Sequence, residues 1–528
     1  MLGETLRLAR LDVDERTLYI YSLLVGVTSF ASVLFAFKSL PLAVLVSVLA
    51  ALLVLFYPFG VVRSRRTAID VILPHAIAYM QSLCGVMNLY EIFREIFEQR
   101  EIYKELSEEF GLIVRDVELL GYSVLDAMRH LAENTPSESL KDFLEGLVIA
   151  FESGSDLKGY MAKKIDLIRE RAKKQMEMNM RTLEIIAEVF VVLFVALPIF
   201  LAITLTTMKI LGTNLSRLVY TYTYLFIPLC GLAVLYLVDV MNVKEDLGVV
   251  RAPRRVVTVG EERRPSLLEM VKANYYLSLI FSVPAVLSVI VIVRFVRFEF
   301  PLESAVVVLT VAALLPLSIA FEYRARFVRR IDREIPDFLR QILNLKDVGL
   351  TLSSIIRMIR ESEIGVISRE LRKVEAFMEL GSTLREAFVE FVNRVGVSSI
   401  RRAISILIRA SEATENLRDV LLTAIDDFEY GIRMRDLRFA TGFSYVVIVY
   451  LSFFVFLYTA YVLVHSFMAR LGVSGSGFVE PMYRMSMIVA VFSGLLAGEM
   501  EGGHILYGLK HVFVFLISSL ITFELLMG

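Results

Sequence analysis

Long apolar runs alternate with charged stretches along this chain. Apolar runs fall at 18–37, 41–62, 189–208, 218–240, 277–293, 304–320, 445–464, 485–498 and 511–527. Each is long enough to cross a bilayer, or is extendable backwards in the case of 485–498. Between some of them the period becomes helical and amphipathic. Leu417, Val420, Leu421, Ala424, Ile425 and Phe428 form one apolar stripe, with Lys, Arg, Asp and Glu on the opposite face. Leu157, Tyr160, Met161, Ile165 and Ile168 draw the same stripe earlier, with Lys164 in the place of Ala424. The pattern predicts an all-α polytopic membrane protein of about nine spans carrying two soluble helical-bundle domains.

The two soluble stretches repeat each other. Gly121 matches Gly381 at an offset of 260 residues, and at that offset Asp126-Ala127 meets Glu386-Ala387, Glu152 meets Glu412 and Leu157 meets Leu417. Upstream, Asp70 and Pro74 match Asp332 and Pro336 at an offset of 262, so one gap of two residues joins the registers. A period kept over about a hundred residues reads as internal duplication. The predicted order is a leader (1–17), a span pair (18–62), a first helical domain (63–184), a span pair (185–240), a linker without helical periodicity (241–272), a span pair (273–320), a second helical domain (321–440) and three final spans (441–528).

Charge orients this arrangement. Arg63, Arg65 and Arg66 follow one span, and Arg324, Arg326, Arg329 and Arg330 follow another, while loops assigned to the far side carry few basic residues. Both domains and the N-terminus are therefore expected in the cytoplasm, and the C-terminus outside. A mean hydropathy of +0.64 beside 21% charged residues fits such segregation. The net charge of −1 gives no bulk signal for nucleic acid, and Cys84 and Cys230 form no disulfide or metal framework. Pro198, Pro228, Pro284 and Pro316 each fall within a span and mark kinks.

Candidate chemistry is sparse. The chain has no phosphate-binding Gly-rich loop ending in Gly-Lys-Ser/Thr, no Gly-x-Ser-x-Gly and no His-Glu-x-x-His. The spans hold no interior chain of carboxylates such as an ion-coupled transporter needs. Ser123-x-x-Asp126 and Thr383-x-x-Glu386 read as helix caps, as does Thr135-Pro136-Ser137-Glu138 with proline at the first helical position. Glu152 and Glu412 sit at expected inter-helix turns, placed to cap a helix, to pair with a basic residue across the bundle or to meet a partner. His504 and His511, seven apart on one helix face, together with Glu499 and Glu501 raise a metal site; a glycine-rich hairpin packed closely on the bundle accounts for the same residues better, and no metal or cofactor is expected.

Two domains opened by Asp-x-x-x-Pro (Asp70 to Pro74, Asp332 to Pro336), with a Gly-[Tyr/Ser]-[Ser/Thr] turn after Gly121 and Gly381 and a Glu-containing turn at Glu152 and Glu412, resemble the type II secretion F-domain family. Gly154 keeps the glycine of that last turn in the first copy; Thr414 replaces it in the second. The stretch from Gly494 and Gly498 to Gly508, Lys510 and His511 resembles the archaeal branch, which holds platform proteins of archaella and archaeal type IV pili. The resemblance implies a non-enzymatic membrane platform, embedded in lipid and homodimeric. A hexameric secretion or pilus assembly ATPase docks on its cytoplasmic domains, and pilin- or archaellin-like subunits pass into a filament. Basic clusters that include Arg433 and Arg435 are candidates to meet that ATPase. The alternatives are a transporter subunit driven by a separate ATPase, which requires a continuous polar path through the spans, and a membrane enzyme using Glu499, Glu501, His504 and His511.

Overall fold

A computed structural model of the chain describes residues 2–11, 13–37, 40–84, 87–210, 221–241, 256–258, 261–263, 270–271, 274–296, 302–361, 365–413, 417–463 and 476–525. They form two compact units, Met1–Ala172 and Lys173–Gly528. Among the described residues, nine helices are long and apolar enough to cross a membrane. The protein is a multi-pass helical membrane protein. Its described strands are one short antiparallel hairpin in the linker, Val256–Thr258 with Glu261–Arg263.

In the first unit, α1 (Leu2–Leu8), α2 (Glu15–Phe37) and α3 (Leu40–Leu83) lead into α4 (Leu89–Glu98), α5 (Arg100–Glu118), α6 (Val124–Asn134) and α7 (Glu138–Glu152). Helix α8 (Leu157–Val191) then leaves the domain. Helix α3 has 44 residues and is about 66 Å long, roughly twice the hydrocarbon thickness. Its first half crosses the membrane and its second half forms the spine of the domain. Leu73, Ile77, Phe93, Phe110, Phe143, Leu147, Met161 and Ile165 are buried in this unit. Glu109 is buried on α5 and takes Arg65 at 2.7 Å and Arg10 at 2.9 Å, which binds the leader to the domain. Arg65, a marker of membrane orientation in the sequence, is thus also a structural ion-pair partner.

The second unit repeats the plan. Helices α9 (Leu197–Ile210), α10 (Ile227–Met241) and α11 (Ser282–Val296) come first, followed by the 46-residue α12 (Leu302–Asp347). Four helices build the second domain: α13 (Leu352–Glu361), α14 (Gly365–Glu379), α15 (Leu384–Val395) and α16 (Ser398–Ala413). The 45-residue α17 (Leu417–Tyr461) returns to the membrane, and α18 (Ser476–Gly502) and α19 (Gly508–Leu520) close the chain. The expected stripe from Leu417 to Phe428 is buried at all six positions.

Local rules explain several boundaries. Ser123 and Thr383 cap α6 and α15 as expected; Thr383 with Glu386 completes a reciprocal capping box. The expected cap at Thr135 is corrected. Thr135 closes α6, Pro136 lies between helices, and Ser137 caps α7 by accepting from the Leu140 N–H at 3.0 Å. Proline forces the residue before it into an extended backbone, so the helix restarts only after Pro136. Pro198 and Pro228 each follow a π-turn, Val192–Ala196 and Tyr222–Phe226. Each proline lacks the N–H that residue i−4 would bond, here Phe194 or Tyr224, and the wider turn absorbs that defect.

The last two spans meet through glycine. A Cβ on Gly498 would lie 1.8 Å from the Gly508 nitrogen, and one on Gly494 would lie 2.4 Å from that of Val512. On α17, a Cβ on Gly442 would lie 2.2 Å from the Met500 carbonyl oxygen. Small residues four apart let the backbones of α18 and α19 touch, a close approach that drives helix association in lipid. Substituting Gly498→Val is expected to pry the hairpin apart and to cost about 2 kcal/mol or more, read as a lowered melting temperature of the detergent-solubilised protein. Gly121→Ala meets no neighbour and is expected to cost only its backbone strain at φ +70°.

Candidate functional site

Each domain hangs on one aspartate of its spine helix. The Asp70 carboxylate accepts a hydrogen bond from the Ser137 hydroxyl at the start of α7, and Asp332 accepts one from Ser399 at the start of α16. Both ties join residues 67 apart in sequence. Pro74 and Pro336 follow one turn later, buried inside their helices. Having no N–H, each releases the carbonyl of the aspartate itself from the helix ladder. The Asp-x-x-x-Pro element thus opens the spine at the point where its side chain grips a second helix. In the second domain Arg435 on α17 also bonds Asp332, so one buried carboxylate joins α12, α16 and α17.

The basic clusters are largely engaged within the protein. Arg324 is buried and donates to the carbonyls of Val395 at 3.3 Å and Gly396 at 2.8 Å. Arg433 is exposed and pairs with Glu429 at 3.4 Å, and Arg329 lies over the rings of Phe439 and Tyr507. Arg326 is exposed as well and pairs with Glu322 at 2.9 Å.

The glycine turns separate helices as their backbones demand. Gly121, Gly154 and Gly381 have φ of +70°, +66° and +93°. Gly154 and Gly381 end α7 and α14, where Ser155 N–H bonds the Ala150 carbonyl and Ser382 N–H that of Phe377. Glu152 closes α7, is exposed and pairs with Arg129 on α6, across the bundle. Glu412 lies in the last turn of α16, and its side chain falls outside the described residues. Beside the Gly121 turn, Asp116 is buried and takes His130 Nδ1 at 2.6 Å and Arg115 at 2.8 Å. Burial alone would raise its carboxyl, but the His130 and Arg115 hydrogen bonds outweigh burial and hold it below the ordinary aspartate range.

Around the last hairpin, His511 Nε2 lies 2.8 Å from Glu501, its Nδ1 lies 2.8 Å from the Tyr450 hydroxyl, and Lys510 reaches Glu501 at 2.7 Å. This network ties α17 to α18 and α19. His504 does not share a helix face with His511. Gly502 and Gly503 break the helix, and His504 caps the following turn by accepting from the Leu506 N–H at 3.1 Å. Among the described residues no three His, Cys, Asp or Glu side chains gather as metal ligands. Sequence reading missed Ser137, Ser399 and Tyr450. The recurring separation of 67 residues was a signal for the two serines; nothing in the sequence marked Tyr450.

The long helices and the paired domains define a polytopic membrane protein built by internal duplication. The family model for type II secretion system (T2SS), protein F, matches twice, over residues 82–205 and 338–465. Two stretches of the chain thus match the type II secretion system protein F domain, and these matches support a membrane platform of secretion- or pilus-like machinery. Both matches begin after the Asp-x-x-x-Pro elements and run into the following span. The chain is 22% identical over 494 residues to an uncharacterized protein of Methanocaldococcus jannaschii, covering 89% of this chain and 82% of the relative. It is also 22% identical over 372 residues to Flagella accessory protein J of the same archaeon, covering 68% of this chain and 62% of that protein's length. No solved structure matches.

Replacing Asp332→Ala strands Arg435 and Ser399 and is expected to destabilise the second domain by about 3 kcal/mol, measured by thermal unfolding; Asp70→Ala, with a weaker basic partner, is expected to cost less. Because the Asp116 carboxyl is depressed in the folded state, its contribution is complete above about pH 4 and is lost as pH falls further through the depressed value. Limited proteolysis between pH 6 and pH 3 is expected to show an acid limb of first-domain opening that Asp116→Asn flattens.

Proposed function

We propose that this protein is the integral platform of a type IV-pilus-like, archaellum-like or type II secretion-like assembly machine. Its domains lie in the cytoplasm, dock a hexameric assembly ATPase and pass its motion to the spans, which insert pilin- or archaellin-like subunits into a filament. It works as a homodimer and has no catalytic activity of its own. The observation that carries this reading is the continuity of helix between domain and membrane. Helices α3, α12 and α17 have 44, 46 and 45 residues, and each serves as both a domain helix and a span. A force on the domain therefore reaches the bilayer through continuous helix, in which each internal proline opens a single ladder bond, rather than through a flexible linker. The ties at Asp70, Asp332 and the Glu501–His511–Tyr450 network bind the other helices to these struts. The resemblance to Flagella accessory protein J supports a filament machine over a transporter.

The test is to titrate the full-length protein, in detergent or nanodiscs, against the purified assembly ATPase of its own organism while following ATP turnover. Binding with a changed turnover is expected. Failure of the full-length protein to bind would sink the platform reading. A two-glycine insertion between Phe327 and Val328 is expected to leave binding intact while lowering filament number at least tenfold, because it breaks the α12 strut.

A further inference from the structure

One face of α12 stays exposed from the membrane into the second domain. Leu315 and Ile319 are exposed within the span, and Tyr323 is exposed one turn beyond Ile319. Arg326, Arg330 and Arg333 continue the same face at helical spacing, and all three are exposed. Their ion pairs differ. Arg333 meets Asp436 at 3.1 Å. Arg326 meets Glu322 at 2.9 Å, and Arg329 shares that carboxylate at 3.8 Å. Arg330 has no ion-pair partner among the described residues. Buried Arg324 is held by the carbonyls of Val395 and Gly396. Arg326 and Arg330 stand four residues apart, so two like charges lie side by side on one helix face. Such a pair weakens a helix unless an anion lies between its members.

We propose that the exit of α12 from the membrane is a seat for an anionic phospholipid. Its acyl chains lie along Leu315 and Ile319, and its phosphate is held between Arg326 and Arg330. Continuity of the face identifies the occupant. Leu315 and Ile319 are exposed in a span, so in a bilayer lipid covers them, and the arginines extend that stripe without a break. Height agrees. Arg326 and Arg330 lie about 9 and 15 Å past the apolar run that ends at residue 320. Helix side chains lean back by about one turn toward the N-terminus, which here is the membrane end. That brings Arg326 into the headgroup layer, about 5–7 Å deep, and Arg330 to its outer edge. Tyr323 lies between them and the span, at the level where an amphipathic ring sits. A guanidinium matches phosphate oxygens with parallel N–H donors. The cation of a zwitterionic headgroup would meet the same two arginines unfavourably, so the seat favours lipids of net negative charge. This inference stands apart from the platform reading.

The test is native mass spectrometry of the full-length protein released from nanodiscs of mixed phosphatidylglycerol and phosphatidylcholine. The wild type is expected to retain phosphatidylglycerol in preference. Arg326→Gln with Arg330→Gln is expected to lower that preference by about tenfold with an unchanged melting temperature. Arg333→Gln with Arg433→Gln removes the same charge from arginines that already have carboxylate partners, and is expected to keep the wild-type preference. A photoreactive headgroup on phosphatidylglycerol gives a readout on the wild type alone, with adducts expected within residues 319–330. Excess inorganic phosphate is expected to leave the bound lipid in place. Equal loss in both double variants would assign the preference to bulk charge and overturn the seat. Adducts only outside 319–330, no preference in the wild type, or displacement by inorganic phosphate would overturn it as well.

Discussion

Inside a bilayer every backbone N–H and C=O must find its partner within the protein, and for this chain the partner lies in its own helix. The same requirement shapes what lies outside the membrane. Once a helix has formed across the lipid, continuing it is the least costly exit, because stopping would leave four carbonyls to be capped at the interface. Helices α3, α12 and α17 continue in this way, and each supplies the spine or closing helix of a domain. The shorter helices between them add the apolar faces that complete each bundle.

Two polar devices hold that arrangement in register. The aspartate on each spine bonds a serine at the start of another domain helix, one turn before a proline frees the aspartate's own carbonyl. At the last hairpin, glycine removes the side chains that would hold α18 and α19 apart, and the Glu501–His511–Tyr450 network then joins that hairpin to α17. Both devices put their bonds between helices that also pack through apolar contacts, so they set alignment more than they add net stability.

Much of this was legible in the sequence, because it rests on periodicity. The nine apolar runs, the stripe from Leu417 to Phe428 and the repeat from Gly121 to Gly381 are patterns of spacing, and each has its counterpart in the fold. Contacts between residues far apart in sequence were not legible. Ser399 is an ordinary polar residue until α12 places Asp332 beside it, and Arg324 reads as a topology marker until its guanidinium is found on the carbonyls of Val395 and Gly396. The unbroken length of α12 was hidden because Pro336 suggests a boundary, whereas a buried proline inside a packed helix only opens one bond of the ladder. His504 and His511 misled in the opposite sense. Their spacing fits one helix face, but two successive glycines end α18 just before His504, which caps a separate turn, while His511 lies on α19.

The duplication has a consequence of symmetry. When a domain is doubled by pairing two identical chains, any change to its surface appears on both members at once. Here the doubling is within one chain, so each copy is free to change alone. Leu119 can stand where the other copy has Glu379, and Ile149 where it has Arg409, without either substitution being imposed twice. The chain thus combines two equivalent scaffolds with two inequivalent faces, in a ratio fixed by the covalent backbone rather than by an association equilibrium.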